Sequence, residues 1–268
     1  MTELSTSVKR NPWIQAWARL GFAIGGIVYF VIGILAAMVA SENSGTAPGP
    51  EGAIERIGAQ PFGRVLLVVV TVGLFGYAFW CCIQAVFDTD QDGNDLKGIG
   101  IRFGEFCSGV AYLSLAILSW HRLQGARPEG NQTAHWTARV LAHTWGAPLV
   151  ALTGVVLAIV GIALIVYGIQ EKFRKYLSIT DASASDRHWM IRMGKWGYSA
   201  QGIVFCIIGS FLVSAALSGD ARKARGLDGA LQWIAQQSYG PWLLGFVAVG
   251  LAAYGLFMLV EARYRRLT

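Results

Sequence analysis

Six long apolar blocks alternate with polar segments along the chain. They lie at roughly 20–41, 65–87, 103–120, 147–169, 198–217 and 241–260. Each block is close to the roughly 20 residues that an α-helix needs to cross about 30 Å of hydrocarbon. A transmembrane β-barrel would instead need alternating segments of about ten residues, and no such alternation is visible. The pattern therefore predicts an all-α integral membrane protein with six transmembrane helices.

The first, third and fifth blocks open with one shared pattern: a basic residue, any residue, Gly, four residues, Gly, two aliphatic residues and an aromatic residue. The three openings reach their aromatic residue at Tyr29, Tyr112 and Phe205. Their basic residue and two glycines are Arg19, Gly21 and Gly26, then Arg102, Gly104 and Gly109, then Lys195, Gly197 and Gly202. Self-similarity of this kind indicates an internal repeat.

The segments that follow these openings are similar as well. Residues 52–57 and 60–63 match residues 229–234 and 237–240. In the middle copy, Gly146 follows Gly63 by 83 residues, the same offset that separates Arg102 from Arg19. A shared offset in two separate motifs indicates that a complete unit is repeated, although the middle copy is the most degenerate.

Three tandem repeats of two helices each are therefore predicted, over residues 19–88, 102–171 and 195–266. A tail, residues 1–18, precedes them, and a basic, flexible linker, residues 172–194, separates the second repeat from the third. An even number of spans in each repeat gives all three copies one orientation, which predicts pseudo-three-fold symmetry about the membrane normal. A short amphipathic helix is predicted between the two spans of the third repeat, with apolar residues at helical spacing: Leu227, Ala230, Leu231 and Ile234.

The distribution of charge predicts the orientation of the chain in the membrane. The chain has 22 Lys and Arg residues against 16 Asp and Glu, a net charge of +6. Of the 22 basic residues, 14 lie in the two terminal segments and in the second and fourth loops. The positive-inside rule therefore places both termini in the cytosol and the protein in the cell (inner or plasma) membrane. Basic residues that flank membrane spans explain the net positive charge, so we expect no nucleic-acid partner. The partner that we expect from the apolar composition is the lipid bilayer.

Glycine is abundant, with 33 residues, and many of them lie in the predicted spans. Gly21 with Gly25, and Gly104 with Ser108, form small-xxx-small pairs, which let helices approach closely in lipid. We interpret the repeated glycines as helix-packing positions: Gly21, Gly26, Gly104, Gly109, Gly197 and Gly202. A glycine-lined pore or a hinge is the alternative that the sequence leaves open.

Few ionisable or amide side chains fall within the predicted spans, and such residues mark candidate functional sites in membrane proteins. The intramembrane or interfacial candidates are Gln84, Glu105, Gln201 and Glu261. Glu105 follows Arg102 by one helical turn, which favours a structural ion pair. Interhelical hydrogen bonding is the expected role of the two glutamines.

One acidic turn resembles the start of a calcium-binding loop. Asp88, Asp90 and Asp92 alternate, and Gly93 takes the sixth position, but Ile99 stands where an EF-hand loop has its bidentate Glu. We therefore expect a solvated cytosolic turn and no resident metal or cofactor, with weak divalent-cation binding by the three aspartates as the alternative.

These features together resemble the bacterial domain of unknown function 1206 family. The resemblance rests on the repeated opening, on the paired segments that end at Gly63 and Gly240, on the turn from Asp88 to Ile99, and on the basic exit after Glu171. It covers about residues 19–266. It implies three copies of a two-span unit and no assigned activity, so it supplies no catalytic residues.

Two functions are compatible with this sequence. The first is a structural, accessory or scaffold component of a bacterial membrane, acting as a homo-oligomer or with a membrane-complex partner. The alternative is a small-solute or ion translocator along the pseudo-three-fold axis. Carriers built from three two-span repeats have a Pro-x-[Asp/Glu]-x-x-[Lys/Arg] gate in each repeat, and that motif is absent here. Because no catalytic motif of familiar type is visible, we expect the protein not to be an enzyme.

Overall fold

The structure, a computed structural model, describes residues 12–42, 53–55, 58–59, 61–87, 96–125, 132–176 and 184–264. We number its α-helices in chain order: α1 Pro12–Glu42, α2 Gly63–Phe87, α3 Leu96–Leu123, α4 Gln132–Leu141, α5 Gly146–Ile169, α6 Ala184–Ser218, α7 Leu227–Ala235 and α8 Gly240–Tyr264. Two short 3-10 helices are Lys172–Tyr176 and Ala221–Lys223. No strand occurs in the described residues, so the prediction of an all-α fold is confirmed.

Six of these helices, α1, α2, α3, α5, α6 and α8, are long and apolar enough to cross a bilayer. Their candidate spans are Arg19–Ser41, Gly63–Val86, Gly98–Leu123, Gly146–Ile169, Arg187–Ser218 and Gly240–Tyr264. The prediction of six transmembrane helices is therefore confirmed, and the chain is a multi-pass membrane protein.

The spanning helices pack side by side in the order α5, α6, α8, α1, α2, α3. Each helix in this series shares a packed interface with the next. Within the described residues, α3 and α5 share none, although they are the two spanning helices of one repeat. The six helices thus form an open series whose two end members, α3 and α5, belong to the second repeat, and we call the break between these two helices the gap. Pseudo-three-fold symmetry stays a prediction, because only two of the three repeats have packed internal pairs.

The most extensive packing occurs between repeats, where the second helix of one repeat meets the first helix of another: α2 with α3, α5 with α6, and α8 with α1. We call these the inter-repeat interfaces. At each one a glycine from the repeated opening faces a small residue. A Cβ on Gly26 would lie 2.6 Å from the carbonyl oxygen of Gly255, and a Cβ on Gly109 would lie 3.2 Å from that of Ala78. Backbones approach this closely only where side chains are absent or small.

Small residues recur seven positions later on the same helices. Seven residues are two helical turns, so they extend the same face. A Cβ on Gly33 would lie 2.7 Å from the carbonyl oxygen of Ala248, and a Cβ on Gly209 would lie 2.6 Å from that of Gly154. The inter-repeat interfaces therefore continue beyond a single crossing point.

Helix α6 begins at Ala184, inside the predicted linker 172–194. The flexible character expected for that linker does not extend to its C-terminal part. Met190 is buried there, and a Cβ on Gly194 would lie 2.7 Å from the ring of Phe173. Packing of an apolar ring against the first turns of α6 accounts for the longer helix. At the other end, α1 begins at Pro12, within the predicted tail 1–18.

The segments that join the two spans of each repeat are not equivalent. The predicted amphipathic helix is present in the third repeat as α7, and it buries Ala230, Leu231 and Ile234 in the core. In the first repeat Ala53 and Ile54 enter the same core. In the second repeat α4 packs instead on α5 and on the 3-10 helix Ala221–Lys223. Helix α4, which joins α3 to α5, therefore packs on the α5 side of the gap.

Candidate functional site

Three of the predicted polar residues meet where α2 ends and α3 begins. Arg102 Nε donates to the carbonyl oxygen of Ala85 at 2.7 Å, and its Nη2 donates to that of Val86 at 2.9 Å. These oxygens belong to the last turn of α2, where the carbonyl groups have no N–H partner within the helix. Gln84 Nε2 donates to Glu105 Oε1 at 3.2 Å. The interhelical hydrogen bond expected of Gln84 is therefore present at this helix end, whereas the ion pair expected between Arg102 and Glu105 stays a prediction.

The other two repeated basic residues differ from Arg102. The side chains of Arg19 and Lys195 are exposed. Lys195 contributes through its backbone, because a Cβ on Gly168 of α5 would lie 3.0 Å from its carbonyl oxygen. One sequence position is therefore exposed in two repeats, and in the part of the chain that the structure describes the side chain caps a neighbouring helix at Arg102 alone.

Gln84 also has counterparts in the other repeats. Gln84, Tyr167 and Glu261 each follow by 21 residues the glycine that begins their helix. Glu261 is 3% exposed, so this candidate lies inside the protein. Tyr167 instead packs edge-on against Tyr198, with ring centroids 5.0 Å apart. The same helix position is thus polar in two repeats and aromatic in the second.

A group of four tyrosines, one buried and three partly buried, lies around Gln201. Gln201 Nε2 donates to Tyr29 Oη at 3.3 Å, and the hydroxyls of Tyr29 and Tyr112 are also hydrogen bonded. The ring of Tyr29 lies edge-on to Tyr254 at 5.0 Å, and that of Tyr77 lies edge-on to Tyr112 at 4.5 Å. We call these five residues the tyrosine cluster; they come from five different spanning helices.

The tyrosine cluster lies near the middle of the spans. Tyr29 is the eleventh of the 23 residues in its span, and Gln201 is the fifteenth of 32 in its own. Polar groups at this depth have no water, so each needs a partner within the protein. Gln201 Oε1 is buried and has no hydrogen-bond partner among the described residues. The cluster therefore joins helices through neutral hydrogen bonds and carries no charge of its own.

The repeated glycines show where the second repeat differs. A Cβ on Gly21 would lie 2.5 Å from Cβ of Tyr77, and a Cβ on Gly197 would lie 2.6 Å from Cα of Tyr254. At the Cβ position of Gly104, no atom of the described residues lies within 4 Å. The helix-packing interpretation therefore fails at Gly104 within one chain, because the second helix of its repeat does not reach it.

The remaining packing candidates have close neighbours. Gly26 and Gly109 lie at the inter-repeat interfaces described above. A Cβ on Gly161 would lie 2.6 Å from the carbonyl oxygen of Gly202, which forms the third of these crossings. The predicted metal ligands Asp88, Asp90 and Asp92 lie outside the described residues.

Sequence reasoning missed both the tyrosine cluster and the gap. Tyr29 and Tyr112 served only as markers of the repeat, because the spacing of residues does not reveal that their rings meet those of Tyr77 and Tyr254. A signal for the gap was present. Tyr77 and Tyr254 follow the first glycine of their helix by 14 residues, and at that position the second repeat has Val160.

Comparison with known proteins agrees with the repeat. The family model described as Domain of Unknown Function (DUF1206) matches residues 20–88, 103–171 and 196–265, which confirms three tandem copies and the resemblance. The chain is 34% identical over 261 residues to the uncharacterized protein YxxB of Bacillus subtilis (strain 168), covering 96% of this chain and 94% of that protein. No solved structure matches the chain.

Proposed function

The chain belongs to the domain of unknown function 1206 family, and from this premise we propose that it is a structural or accessory component of a bacterial cell membrane. In this proposal it acts as a scaffold on which another protein chain assembles. The proposal assigns no catalytic step and no cofactor to the chain.

The observation that carries the proposal is the exposure of α3 and α5. Of the most apolar part of each span, 11% is buried in α3 and 17% in α5, against 39% to 56% in the other four spanning helices. Among the described residues, each of these two helices has one extensively packed spanning neighbour, since they are the two ends of the series. In the first and third repeats, other parts of the chain cover the two spanning helices. In the second repeat the same two helices are largely exposed, so they offer a suitable surface for assembly with another chain.

The tyrosine cluster favours a scaffold over the alternative, a small-solute or ion translocator. A path along the centre of the bundle would have to pass Tyr29, Tyr112 and Gln201, which contact one another near mid-depth. Hydrogen bonds that tie helices together stabilise one arrangement of the bundle. These contacts therefore fit a static component better than a moving gate.

The proposed site of action is the cell membrane, with both termini in the cytosol. Support comes from the distribution of Lys and Arg and from the bacterial relative. A membrane-impermeant maleimide should label a cysteine at exposed Ser238 in intact cells. A cysteine at exposed Lys172 should react only after permeabilisation. The reverse pattern would overturn the orientation.

Photo-crosslinking in membranes tests the scaffold. A photoreactive amino acid replaces Cys107 on α3 or Ala163 on α5, both exposed at the gap. Matched controls replace Phe79 and Val249, which are exposed on α2 and α8. We expect protein adducts from the first two positions and lipid adducts alone from the controls. Lipid adducts alone at all four positions would overturn the scaffold proposal.

A further inference from the structure

A continuous face of α3 is uncovered at the gap. It consists of Gly104, Cys107, Ser108 and Ala111, which follow helical spacing on one side of the helix. Cys107, Ser108 and Ala111 are exposed, and Gly104 has no neighbour within 4 Å. All four side chains are small or absent, so a second helix could approach this face closely.

The corresponding faces in the other repeats are buried. Those residues are Gly21, Ile24, Gly25 and Val28 on α1, and Gly197, Ala200, Gln201 and Val204 on α6. In each case the second helix of the same repeat provides part of the cover. A Cβ on Gly73 of α2 would contact the side chain of Ile24, and a Cβ on Gly250 of α8 would contact Ala200. The chain therefore builds this kind of interface twice within itself.

The partner half of the interface is also partly uncovered in the second repeat. On α5 it consists of Thr153, Val156, Val160 and Ala163, which correspond to Val70, Gly73, Tyr77 and Trp80 on α2. Thr153 and Ala163 are exposed, whereas Val70 and Trp80 are buried. The α3 face and the α5 face are thus two complementary halves that do not meet within one chain.

Both sides of the gap are held in place by contacts on their far sides. On the α3 side, Thr71 Oγ1 of α2 donates to Ser119 Oγ at 2.7 Å, and Arg122 pairs with Glu55 at 3.4 Å. On the α5 side, a Cβ on Gly226 in the third repeat would lie 2.9 Å from Thr133 Oγ1 of α4. Closure of the gap within one chain would disturb these contacts.

We propose that a second copy of this chain covers the gap, with α3 of each copy packed on α5 of the other. The inference deepens the scaffold proposal, and rests on it, by naming this chain as its own partner. The α3 face of one copy then packs on the α5 face of the other, as the first and second helices pack on each other within the first and third repeats. The two contacts are related by a two-fold axis along the membrane normal, the commonest symmetry of protein dimers.

The register of the interface follows from the other repeats. Gly21 faces Tyr77 and Gly197 faces Tyr254, so Gly104 should face Val160 of the other copy. Ala111 follows Gly104 by seven residues and Thr153 precedes Val160 by seven. Because the two helices of a repeat are antiparallel, Ala111 should face Thr153 of the other copy. The counterpart Cβ position on Gly21 lies 2.5 Å from Cβ of Tyr77. We therefore expect cysteines at the paired positions of two copies to come within disulfide reach, which needs Cβ atoms about 3.5–4.5 Å apart.

Disulfide formation between two differently tagged copies tests the proposal. The four native cysteines are first replaced by Ala or Ser. One copy then carries Gly104→Cys and the other Val160→Cys, or one carries Ala111→Cys and the other Thr153→Cys. Phe79→Cys with Val249→Cys is the matched control. On oxidation in membranes, we expect both interface pairs to link the two tags and the control pair to stay monomeric.

A substitution at Gly104 provides a second, independent test of the proposed interface. Because no atom lies within 4 Å of its Cβ position, Gly104→Leu should leave the single chain folded. It should reduce the disulfide between Ala111→Cys and Thr153→Cys copies by about tenfold or more through overpacking. An unchanged yield of that disulfide would overturn the proposed interface.

The remaining outcomes separate this inference from the scaffold proposal. If a chain with both Gly104→Cys and Val160→Cys links only within itself, the second repeat closes alone and the inference is wrong. Absence of any link means that lipid or another protein covers the gap, and the inference is again wrong. Photo-adducts with a different protein at Cys107 or Ala163 would then leave the scaffold proposal standing.

Discussion

Gly161 of α5 and Gly202 of α6 face each other backbone to backbone, and a Cβ on Gly161 would lie 2.6 Å from the carbonyl oxygen of Gly202. The same relationship joins Gly26 to Gly255, and a looser one joins Gly109 to Ala78. The three repeats are therefore connected through the second helix of one and the first helix of another, and these crossings organise the bundle.

Gly202→Leu should destabilise the protein substantially. Its new side chain would meet the backbone of Gly161 and the residues around Ile165, and backbone cannot move aside. Overpacking of this kind costs about 1–3 kcal/mol and occasionally more. Thermal unfolding in detergent measures the loss. Gly100→Leu is the control, since no atom lies within 4 Å of its Cβ position, and equal melting temperatures for the two variants would contradict the crossing.

Gly197→Ala and Gly104→Ala should have opposite effects, although the two glycines occupy the same place in the repeat. A Cβ on Gly197 would lie 2.6 Å from Cα of Tyr254, whereas Gly104 has open space. Gly197→Ala should therefore lower the free energy of unfolding. In the separated single chain, Gly104→Ala should leave it unchanged or raise it by up to about 1 kcal/mol, because Ala favours helix more than Gly. Denaturant titration of both variants, in a detergent that keeps the chains monomeric, measures the difference, and an equal loss in both would contradict the gap.

Gln201→Met should be close to neutral or stabilising. Met fills a similar volume, and the change removes one hydrogen bond together with a buried, unpartnered amide oxygen. Tyr29→Phe should instead cost about 1–3 kcal/mol, since it removes the partner of both Gln201 and Tyr112.

The double variant completes this test. The cost of Tyr29→Phe should fall in the Gln201→Met background, because there the amide is no longer left unpaired. A double-mutant cycle on unfolding free energies measures the coupling. Additive effects would show that Gln201 and Tyr29 do not interact.

Arg102→Ala should destabilise the protein by about 1.5–3 kcal/mol, the range for hydrogen bonds to charged groups. The change leaves the carbonyl oxygens of Ala85 and Val86 without this donor. Arg19→Ala, at the same repeat position with an exposed side chain, should stay within about 0.5 kcal/mol of the parent. Melting temperatures of the pair measure the contrast, and equal losses would contradict the distinct role of Arg102.

Much of the fold was predictable from the sequence. The six spans follow from apolar blocks as long as a bilayer is thick, and the repeat follows from motifs with a shared offset. Both depend on local composition and spacing. The role of Arg102 was only partly predictable, because its i, i+3 relation to Glu105 is local whereas its bonds to α2 depend on how two helices cross.

The gap in the second repeat could not be predicted from Gly104 itself. Gly21, Gly104 and Gly197 look alike in the sequence, and their difference lies in whether a distant residue reaches them. That residue is Tyr77 in the first repeat, Tyr254 in the third and Val160 in the second. The early start of α6 has a similar origin, because Gly194 packs on Phe173, a residue from the other side of the linker.

In the proposed assembly a second copy of the chain, and not lipid, covers the uncovered faces of α3 and α5. Native mass spectrometry from lipid nanodiscs measures the number of chains in the assembly. We predict an assembly of two 29.0 kDa chains for the parent protein and a single chain for Gly104→Leu. A single chain for the parent under the same conditions, or two chains for both proteins, would rule out the proposed dimer.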